Sequence, residues 1–419
     1  CRVNFFNGYE SISHACYSDI AAHYSIRFSD GLHHWPYTPY IPEGKTTLLN
    51  GFEYPVVIGF LLWIFTFITP EGNHVWNAWT NFFVINAIAI SILFIASALI
   101  LSKIIGTKYV KFYALAPAVL FSLFLNWDMW VVVLMLISIL TFEKNKRTWS
   151  SVTLALAIAT KFFPIFLLIP IFFIDFRRKQ LKKYFRFVFE VVIVWIFINV
   201  PVAIINFEGW SYFYKFSYTR WLGDGSFYNI FQKFGLKITF SIGFYYFINI
   251  AVFVFLILFL AYQKNRISLI ESSYLTIFAF TIFGKVYSMQ YILWLTPLAV
   301  MSISKLPRKE FSKSLKLYFV WQISEVFMHF SYFLNLFWNG FGVKQKGVSD
   351  QAYALFAAMR YLSIITFTLV LGIGLLRAKE VPIKNKQFTK DQIIRIAKQS
   401  HATMTHCTTI SEITNYNNR

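Results

Sequence analysis

The chain has 419 residues, of which 57% are hydrophobic, 21% are aromatic and only 14% are charged. Soluble domains carry about a quarter charged residues, so this composition excludes an ordinary soluble protein. The formal net charge is +20, but Lys and Arg fall in short clusters between apolar runs. A nucleic-acid-binding protein would need one continuous basic face, so no nucleic-acid partner is expected.

The chain begins with a polar segment, residues 1–54, which is rich in Tyr, His and Pro and contains "CYSDI" at 16–20. The apolar segment that follows, 55–69, is shorter than the roughly 20 residues needed to cross a bilayer. It is typical of a re-entrant or surface-lying helix, which places residues 1–54 outside the cytoplasm. If 55–69 spans the membrane instead, "CYSDI" lies on the cytoplasmic side.

From about residue 80 onward, the apolar segments predict membrane-spanning helices. Runs of about 20 apolar residues suffice to cross ~30 Å of hydrocarbon. Such runs lie at 81–102, 185–206, 240–262, 315–336 and 353–376. Shorter segments complete an alternating path at 112–125, 129–142, 148–160, 163–175, 270–283 and 288–301. The predicted fold class is all-α, a polytopic transmembrane helical bundle with extracytoplasmic loops.

The basic clusters give the predicted orientation, because short loops rich in Lys and Arg stay on the cytoplasmic side. They lie at 103–111, 144–147, 177–186, 264–266, 305–316 and 377–386. The predicted domains are an extracytoplasmic loop at 1–54, a re-entrant or juxtamembrane segment at 55–79, a multi-span core at 80–386 and a polar cytoplasmic tail at 387–419. The expected location is the plasma membrane, with membrane lipids around the core.

The three cysteines, Cys1, Cys16 and Cys407, show neither a CxxC motif nor the spacing of a zinc site, so no metal site is predicted. A Cys1–Cys16 disulfide on an oxidising face and unpaired thiols remain alternatives. The chain starts without a methionine or a signal peptide, which leads us to expect a further N-terminal segment before Cys1.

On this topology several polar side chains are expected at similar depth, near the outer ends of the spans. They are Asp19, Glu53, Asn126, Asp128, Lys161, Arg220, Asp224, Lys285 and Gln290. An aromatic-rich outer loop at 207–239 faces them, and aromatic rings stack on sugar faces while Arg and Lys suit phosphates. The alternatives are an interfacial aromatic belt, snorkelling lysines and a helix-capping role for Asp128.

One polar pair lies within an apolar span. Glu325 and His329 are one turn apart, and ionisable groups are costly in lipid. They are expected to pair with each other or with Arg360, and a structural role is favoured over a chemical one.

Four linked motifs resemble those of a known family. They are "CYSDI…PYTPYI…FEYPV", "NWDMWVVVLMLISIL", "ATKFFPIFLLIPIFF" and "YSMQYILWLTPL". In order and spacing over roughly residues 16–300, they resemble the membrane glycosyltransferases of family 87. These are GT-C-type enzymes similar to polyprenol-phosphate-mannose-dependent mannosyltransferases.

The resemblance implies a GT-C-like fold with its active site on the extracytoplasmic side. It implies a polyprenyl-phosphate sugar donor and a lipid or glycan acceptor, with no nucleotide sugar, cofactor or metal. The essential acidic residue of the family's first outer loop maps onto Asp19, and Glu53 is the alternative acid of the same loop. Family members carry a span before this loop, which is the segment expected ahead of Cys1.

The residues themselves suit the same chemistry. An inverting sugar transfer needs a carboxylate that takes the proton of the acceptor hydroxyl. It also needs cations where negative charge develops on the leaving phosphate. Candidates for the cations are Lys161, Arg220 and Lys285. Asp224 is expected to orient Arg220 or bind sugar hydroxyls, and Gln290 and Asn126 to hydrogen-bond the sugar.

The rival from another class is a transporter or flippase of lipid-linked sugars. Such a protein would show paired half-helices and ionisable groups near the bilayer midplane. Here the charges gather at the predicted outer rim, with Glu325 as the main exception. Glucose or arabinose as the transferred sugar, and an inactive scaffold subunit, remain further alternatives.

Overall fold

The computed structural model describes residues 17–28, 33–41, 51–70, 75–223, 225–238, 240–263, 268–340 and 347–380. Within these residues the regular secondary structure is helical, and no β-strand is present. This confirms the predicted all-α class. The chain divides into two units, Cys1–Ala378 and Lys379–Arg419, and the features below belong to the first. The predicted tail at 387–419 lies outside the described residues.

Sixteen α-helices follow one another in the described residues. They are α1 Asp19–Arg27, α2 Val56–Phe67, α3 Val75–Ile105, α4 Thr107–Ala114, α5 Pro117–Ser122, α6 Asp128–Glu143, α7 Arg147–Thr160, α8 Leu168–Arg177, α9 Leu181–Ile205, α10 Phe207–Thr219, α11 Phe227–Lys233, α12 Ile242–Tyr262, α13 Leu269–Ile282, α14 Ile292–Ile303, α15 Arg308–Gly340 and α16 Asp350–Glu380. Two 3₁₀ turns lead into α8 and α14, at Phe163–Leu167 and Met289–Tyr291.

Four helices are long and apolar enough to cross a membrane. They are Ala78–Ile105 within α3, Leu181–Ile205, Ile242–Tyr262 and Asp350–Ala378 within α16. Their outer faces carry exposed apolar side chains, among them Phe197 at 80% and Phe255 at 70% exposure. Apolar faces of this length left uncovered by protein indicate contact with lipid. The fold is that of a helical membrane protein.

Polar residues mark where several helices begin. The Asn206 side chain accepts a hydrogen bond from Gly209 N at the start of α10, and Ser241 accepts one from Phe244 N at the start of α12. Ser268 and Glu271 form a reciprocal capping box at the start of α13. These side chains satisfy backbone N–H groups that have no partner within the helix.

The central hairpin lies close to the predicted boundaries. Segments 129–142 and 148–160 correspond to α6 and α7, which pack against each other, and α9 packs against α7. The predicted segment 112–125 differs, because Pro117 begins a new helix after α4 ends at Ala114. Proline lacks an N–H and favours the first turn of a helix, so it divides this segment in two.

Helix α2 covers only 12 residues, or roughly 18 Å at 1.5 Å per residue. That is shorter than the hydrocarbon core of a bilayer, as the sequence suggested. That α2 is re-entrant or lies at the membrane surface, and does not span the membrane, stays a prediction. The polar segment before it packs onto α10, where a Cβ on Gly209 would overlap the Tyr37 carbonyl oxygen and a Cβ on Gly51 would overlap Tyr212.

Candidate active site

A large cavity of about 830 Å³ opens where the loops at one end of the helices meet. Most of the polar residues singled out in the sequence line it. They are Asp19, Glu53, Asn126, Lys161, Arg220, Lys285 and Gln290. These side chains come from segments far apart in the chain, and the fold brings them around one space.

Asp19 is the first residue of α1, and its position is fixed by the loop before α6. The Asp19 backbone N–H donates to the Leu125 carbonyl at 2.9 Å, and Ser18 Oγ donates to the Phe124 carbonyl at 2.7 Å. Ser18 also caps α1 by accepting from Ile20 N. The short sequence around Asp19 is therefore held against the segment that leads into α6.

The Asp19 carboxylate accepts hydrogen bonds from neutral groups. Asn126 Nδ2 donates to Asp19 Oδ2 at 2.8 Å, and Tyr54 Oη donates to the same oxygen at 3.4 Å. Asn126 Nδ2 also contacts Tyr54 Oη at 2.7 Å, while Asn126 Oδ1 accepts from Trp127 N at 2.6 Å. Since both amide hydrogens and the oxygen of Asn126 are engaged, this side chain positions Asp19. The hydrogen bond from Asn126 to a sugar that the sequence predicts stays a prediction.

Glu53 lies on the same side of the cavity but has a different partner. Its Oε1 lies 3.2 Å from His23 Nε2. Burial disfavours the charged form of Glu53, but the hydrogen bond from His23 and the positive charges of His23, Arg220 and Arg27 outweigh it and lower the pKa of Glu53. The carboxylate is therefore held in its ionised form, which makes it a weaker proton acceptor than an ordinary glutamate.

Lys161 follows α7 and is held by a buried aspartate. Its Nζ donates to Asp128 Oδ1 at 3.0 Å and Oδ2 at 2.9 Å, and Asp128 is fully buried. Trp294 Nε1 also donates to Asp128 Oδ1, at 2.6 Å. Asp128 therefore lies behind the cavity wall as the counter-ion of Lys161. The helix-capping alternative for Asp128 is wrong, because no side chain caps the start of α6.

Arg220 and Lys285 are two further cations that line the cavity. Arg220 is exposed at the end of α10, and no described carboxylate lies within ion-pair distance of it. Lys285 Nζ donates to the Tyr218 carbonyl at 2.8 Å and lies 5.3–5.6 Å from the ring centres of Tyr218, Tyr245 and Tyr246. Neither cation forms a direct ion pair with a described acid, unlike Lys161, so both can pair with an added anion.

Aromatic rings form one wall of the cavity. Phe163 and Trp294 stack with ring centres 3.9 Å apart, and Tyr291 and Trp294 stack at 3.7 Å. Gln290 adjoins this wall in the turn Met289–Tyr291. Such flat, rigid surfaces suit the apolar faces of a sugar ring.

The sequence did not indicate that Arg360 would line the cavity. Arg360 is fully buried in α16, its Nε lies 3.0 Å from Glu325 Oε2, and both terminal nitrogens donate to the Tyr287 carbonyl at 3.0 Å. Tyr287 Oη donates to Glu325 Oε1 at 2.6 Å. Of the expected partners of Glu325, the structure places Arg360 against it. The signal in the sequence was a single arginine inside a predicted span, which is costly unless paired.

Asp224 lies outside the described residues, so its predicted role is not addressed by the geometry. The described residues that the sequence singled out otherwise divide into two groups. One group lines the cavity: Asp19, Glu53, Asn126, Lys161, Arg220, Lys285 and Gln290. The other is Asp128 alone, which lies behind the wall against Lys161, while Asn126 also holds Asp19 in place. The cavity thus joins two acids to three cations and an aromatic wall at one end of a helical membrane protein.

Comparisons with known proteins find only a remote structural similarity to this chain. The sequence matches no protein-family profile and no curated protein. Among solved structures, ArnT from Cupriavidus metallidurans bound to undecaprenyl phosphate aligns with a TM-score of 0.43 and 15% identity, over 92% of this chain and 75% of that chain. The same protein in the apo state aligns with a TM-score of 0.43 and 13% identity, over 85% and 72%. A likeness this remote carries no inference about ligands or activity.

Proposed function

We propose that the protein is a GT-C-like integral-membrane glycosyltransferase. It would transfer a sugar, which we propose to be mannose, from a polyprenyl-phosphate donor to a lipid or glycan acceptor on the extracytoplasmic side. The observation that carries this proposal is the cavity itself. Its lining includes a carboxylate that accepts hydrogen bonds from neutral donors, Asp19, and two cations that form no ion pair with a described acid, Arg220 and Lys285. These groups support the proposal.

The proposed reaction is a direct displacement with inversion. The acceptor hydroxyl attacks the anomeric carbon and gives its proton to the Asp19 carboxylate. The bond between that carbon and the phosphate oxygen breaks, and its electron pair leaves with the polyprenyl phosphate. Arg220 and Lys285 stabilise the negative charge that develops on this phosphate, and the aromatic wall orients the sugar.

Lys161 contributes less net positive charge to the cavity than the sequence suggested, because the Asp128 carboxylate lies against its ammonium group. Its ammonium retains one N–H beyond the two that Asp128 accepts, and a donated hydrogen bond to a sugar hydroxyl fits that state. The phosphate is therefore assigned to Arg220 and Lys285, and Lys161 to the sugar.

Asp19 is preferred to Glu53 as the base because of their partners. Glu53 is stabilised in its ionised form by His23 and by Arg220, which reduces its tendency to accept a proton. Asp19 accepts from Asn126 and Tyr54, which are uncharged and oriented by their own contacts. A general base must be held in a fixed position beside the hydroxyl whose proton it takes, and these contacts hold Asp19 in that way.

The proposal is tested by adding radiolabelled polyprenyl-phosphate sugars, one at a time, to membranes that contain the full chain. Labelled acceptor in the presence of one donor supports a transferase and identifies its sugar. We expect Asp19→Asn to lose about 10²–10⁴-fold of this activity, the usual contribution of a general base. Glu143→Gln is the matched control, because Glu143 is exposed at the other end of α6.

Near-normal transfer by folded, membrane-inserted Asp19→Asn would contradict the assigned base. Movement of labelled donor across proteoliposome membranes without any transfer would instead support the transporter alternative. Arg220→Ala should weaken use of the donor more than use of the acceptor, and equal loss of both would contradict its assignment to the donor phosphate.

A further inference from the structure

A second cavity of about 540 Å³ lies at the opposite end of the helical hairpin from the candidate active site. Helix α7 runs from Arg147, which lines the second cavity, to Thr160, which precedes Lys161 in the first. Its 14 residues correspond to roughly 20 Å. The two cavities therefore lie at opposite ends of α7. The proposed sugar transfer does not use the second cavity.

The second cavity is lined by more basic than acidic side chains. Lys146, Arg147, Lys183 and Arg186 face Glu190 as its one acidic lining residue among the described ones. Glu190 is itself engaged, because it accepts from Arg186 Nε at 3.0 Å and from Ser151 Oγ at 2.6 Å. Lys146 and Lys183 are exposed and pair with no described carboxylate. Two positive charges thus remain available to an anion.

One wall residue of this cavity, Arg147, is held by an ion pair with a buried aspartate. Arg147 donates to Asp175 Oδ2 at 2.7 Å and Oδ1 at 2.6 Å, and Asp175 is fully buried. The Arg147 guanidinium also lies 4.1 Å from the centre of the Phe142 ring. A guanidinium has five N–H donors. Two of those of Arg147 bind Asp175 and hold the group in place, and the others can bind a further acceptor. One basic residue of the cavity, Arg147, is therefore fixed by contacts within the protein, while Lys146 and Lys183 are exposed beside it.

The rim of the cavity continues into an apolar surface. Trp149 is 66% exposed beside it, and Phe185 and Phe189 on α9 are 62% and 65% exposed. Helix α9 is one of the candidate spans. Exposed tryptophan and phenylalanine next to lysine at the end of a span are typical of the level at which lipid headgroups lie.

We propose that the second cavity binds the phosphate of an anionic membrane phospholipid whose acyl chains lie along α9. Lys146 and Lys183 contact the phosphate, Arg147 donates from its fixed position, and Trp149 lies at the level of the glycerol. Basic pockets between helix ends are suited to anionic headgroups. A free phosphate ion would bind the same cations but would gain nothing from the apolar rim, so the lipid is the favoured source.

The test uses the full chain in nanodiscs of zwitterionic phosphatidylcholine with increasing phosphatidylglycerol. Native mass spectrometry counts retained phosphatidylglycerol, and thermal unfolding measures the stabilisation that the lipid causes. The variant Lys146→Gln/Lys183→Gln should weaken phosphatidylglycerol binding by roughly 25-fold, since each lysine near an anionic headgroup contributes about a fivefold factor and the two factors multiply. Lys146→Arg/Lys183→Arg keeps both charges and should keep binding.

The matched control is Lys108→Gln/Lys111→Gln. Both of these lysines are exposed and belong to another predicted cytoplasmic cluster, outside the second cavity. We expect this control to reduce binding by less than about twofold. Equal effects of the two double variants would overturn the proposal, because the lysines would then act only through general surface charge.

A parallel titration with inorganic phosphate in phosphatidylcholine nanodiscs separates the two sources of the anion. Stabilisation by phosphatidylglycerol without an effect of phosphate at millimolar concentration supports the lipid site. Equal stabilisation by inorganic phosphate would overturn it. Since these measurements need no transferase activity, their failure is distinguishable from failure of the proposed function.

Discussion

At the scale of single residues, the pair of Lys161 and Asp128 carries a prediction for stability. Asp128 is fully buried, and the Lys161 side chain is only 12% exposed. Removing one partner of such a pair leaves a buried charge and costs about 3–5 kcal/mol. Lys161→Met should therefore lower the free energy of unfolding by about that amount, measured in detergent solution. Lys161→Met/Asp128→Asn should recover much of the loss, since neither charge then remains.

The outcome separates a structural from a catalytic contribution of Lys161. If Lys161→Met/Asp128→Asn regains stability but not transfer, the ammonium acts on substrate as well as on Asp128. Recovery of both properties would contradict the assignment of Lys161 to the sugar. Unchanged stability in Lys161→Met would contradict the ion pair itself.

Glu53 gives a prediction for pH dependence. Its pKa is lower in the folded protein than in the unfolded chain, so the ionised form stabilises the fold. That stabilisation is present above the ordinary glutamate pKa of about 4.3 and is lost as pH falls through the lowered pKa. The melting temperature of the unchanged protein should exceed that of Glu53→Gln near pH 6, and the difference should close below about pH 4. Glu143→Gln should show no comparable gap at either pH.

At the scale of elements, α16 fixes two segments that form the cavity rim. Arg360 donates to the Tyr287 carbonyl, and Tyr361 Oη donates to the Gly225 carbonyl at 3.1 Å. A Cβ on Gly225 would overlap the Tyr287 carbonyl oxygen. The close approach of these segments holds Lys285 near the end of α10, which is the arrangement proposed to bind the donor phosphate.

Gly225→Ala tests whether this close approach matters. The added methyl group must separate the two segments, so we expect a weaker donor affinity, seen as a higher KM for donor, by about tenfold or more. Gly372→Ala in α16 is the control, because its Cβ meets nothing within 4 Å. Alanine in a helix is favoured over glycine by about 1 kcal/mol, so the control should be neutral or stabilising with unchanged KM. Unchanged KM in Gly225→Ala would contradict the proposed role of the rim.

The same elements show what the sequence could and could not predict. The predicted segment 148–160 agrees with α7, Arg147–Thr160, to within a residue, because its apolar run ends at charged residues on both sides. Hydropathy did not predict the division at Pro117, since the run is apolar throughout and only the missing N–H reveals the break. The motifs indicate Asp19 and Lys161 as separate candidate residues. Their partners, Asn126 and Asp128, depend on which helix faces meet, and a one-dimensional pattern does not contain that information.

At the scale of the whole molecule, the two cavities lie at opposite ends of the helices and are lined by different kinds of residue. One end holds acids, cations and aromatic rings in a single large space. The other carries basic residues beside an exposed apolar rim. Since lysine-rich ends of spans stay in the cytoplasm, the second cavity is predicted to face inward and the candidate active site outward. A donor on a polyprenyl phosphate would then be used on the outer face.

This orientation is open to direct measurement by thiol labelling. In a chain whose native cysteines, Cys1, Cys16 and Cys407, are replaced by serine, Ser217→Cys introduces a thiol in the first cavity and Thr148→Cys one in the second. Both positions are exposed. In sealed right-side-out vesicles, a membrane-impermeant maleimide should label Ser217→Cys directly and Thr148→Cys only after permeabilisation, because only outward-facing thiols meet the reagent. The reverse pattern would place the acids and cations in the cytoplasm, where a nucleotide-linked donor is the more accessible substrate, and would overturn the extracytoplasmic transfer proposed for Asp19.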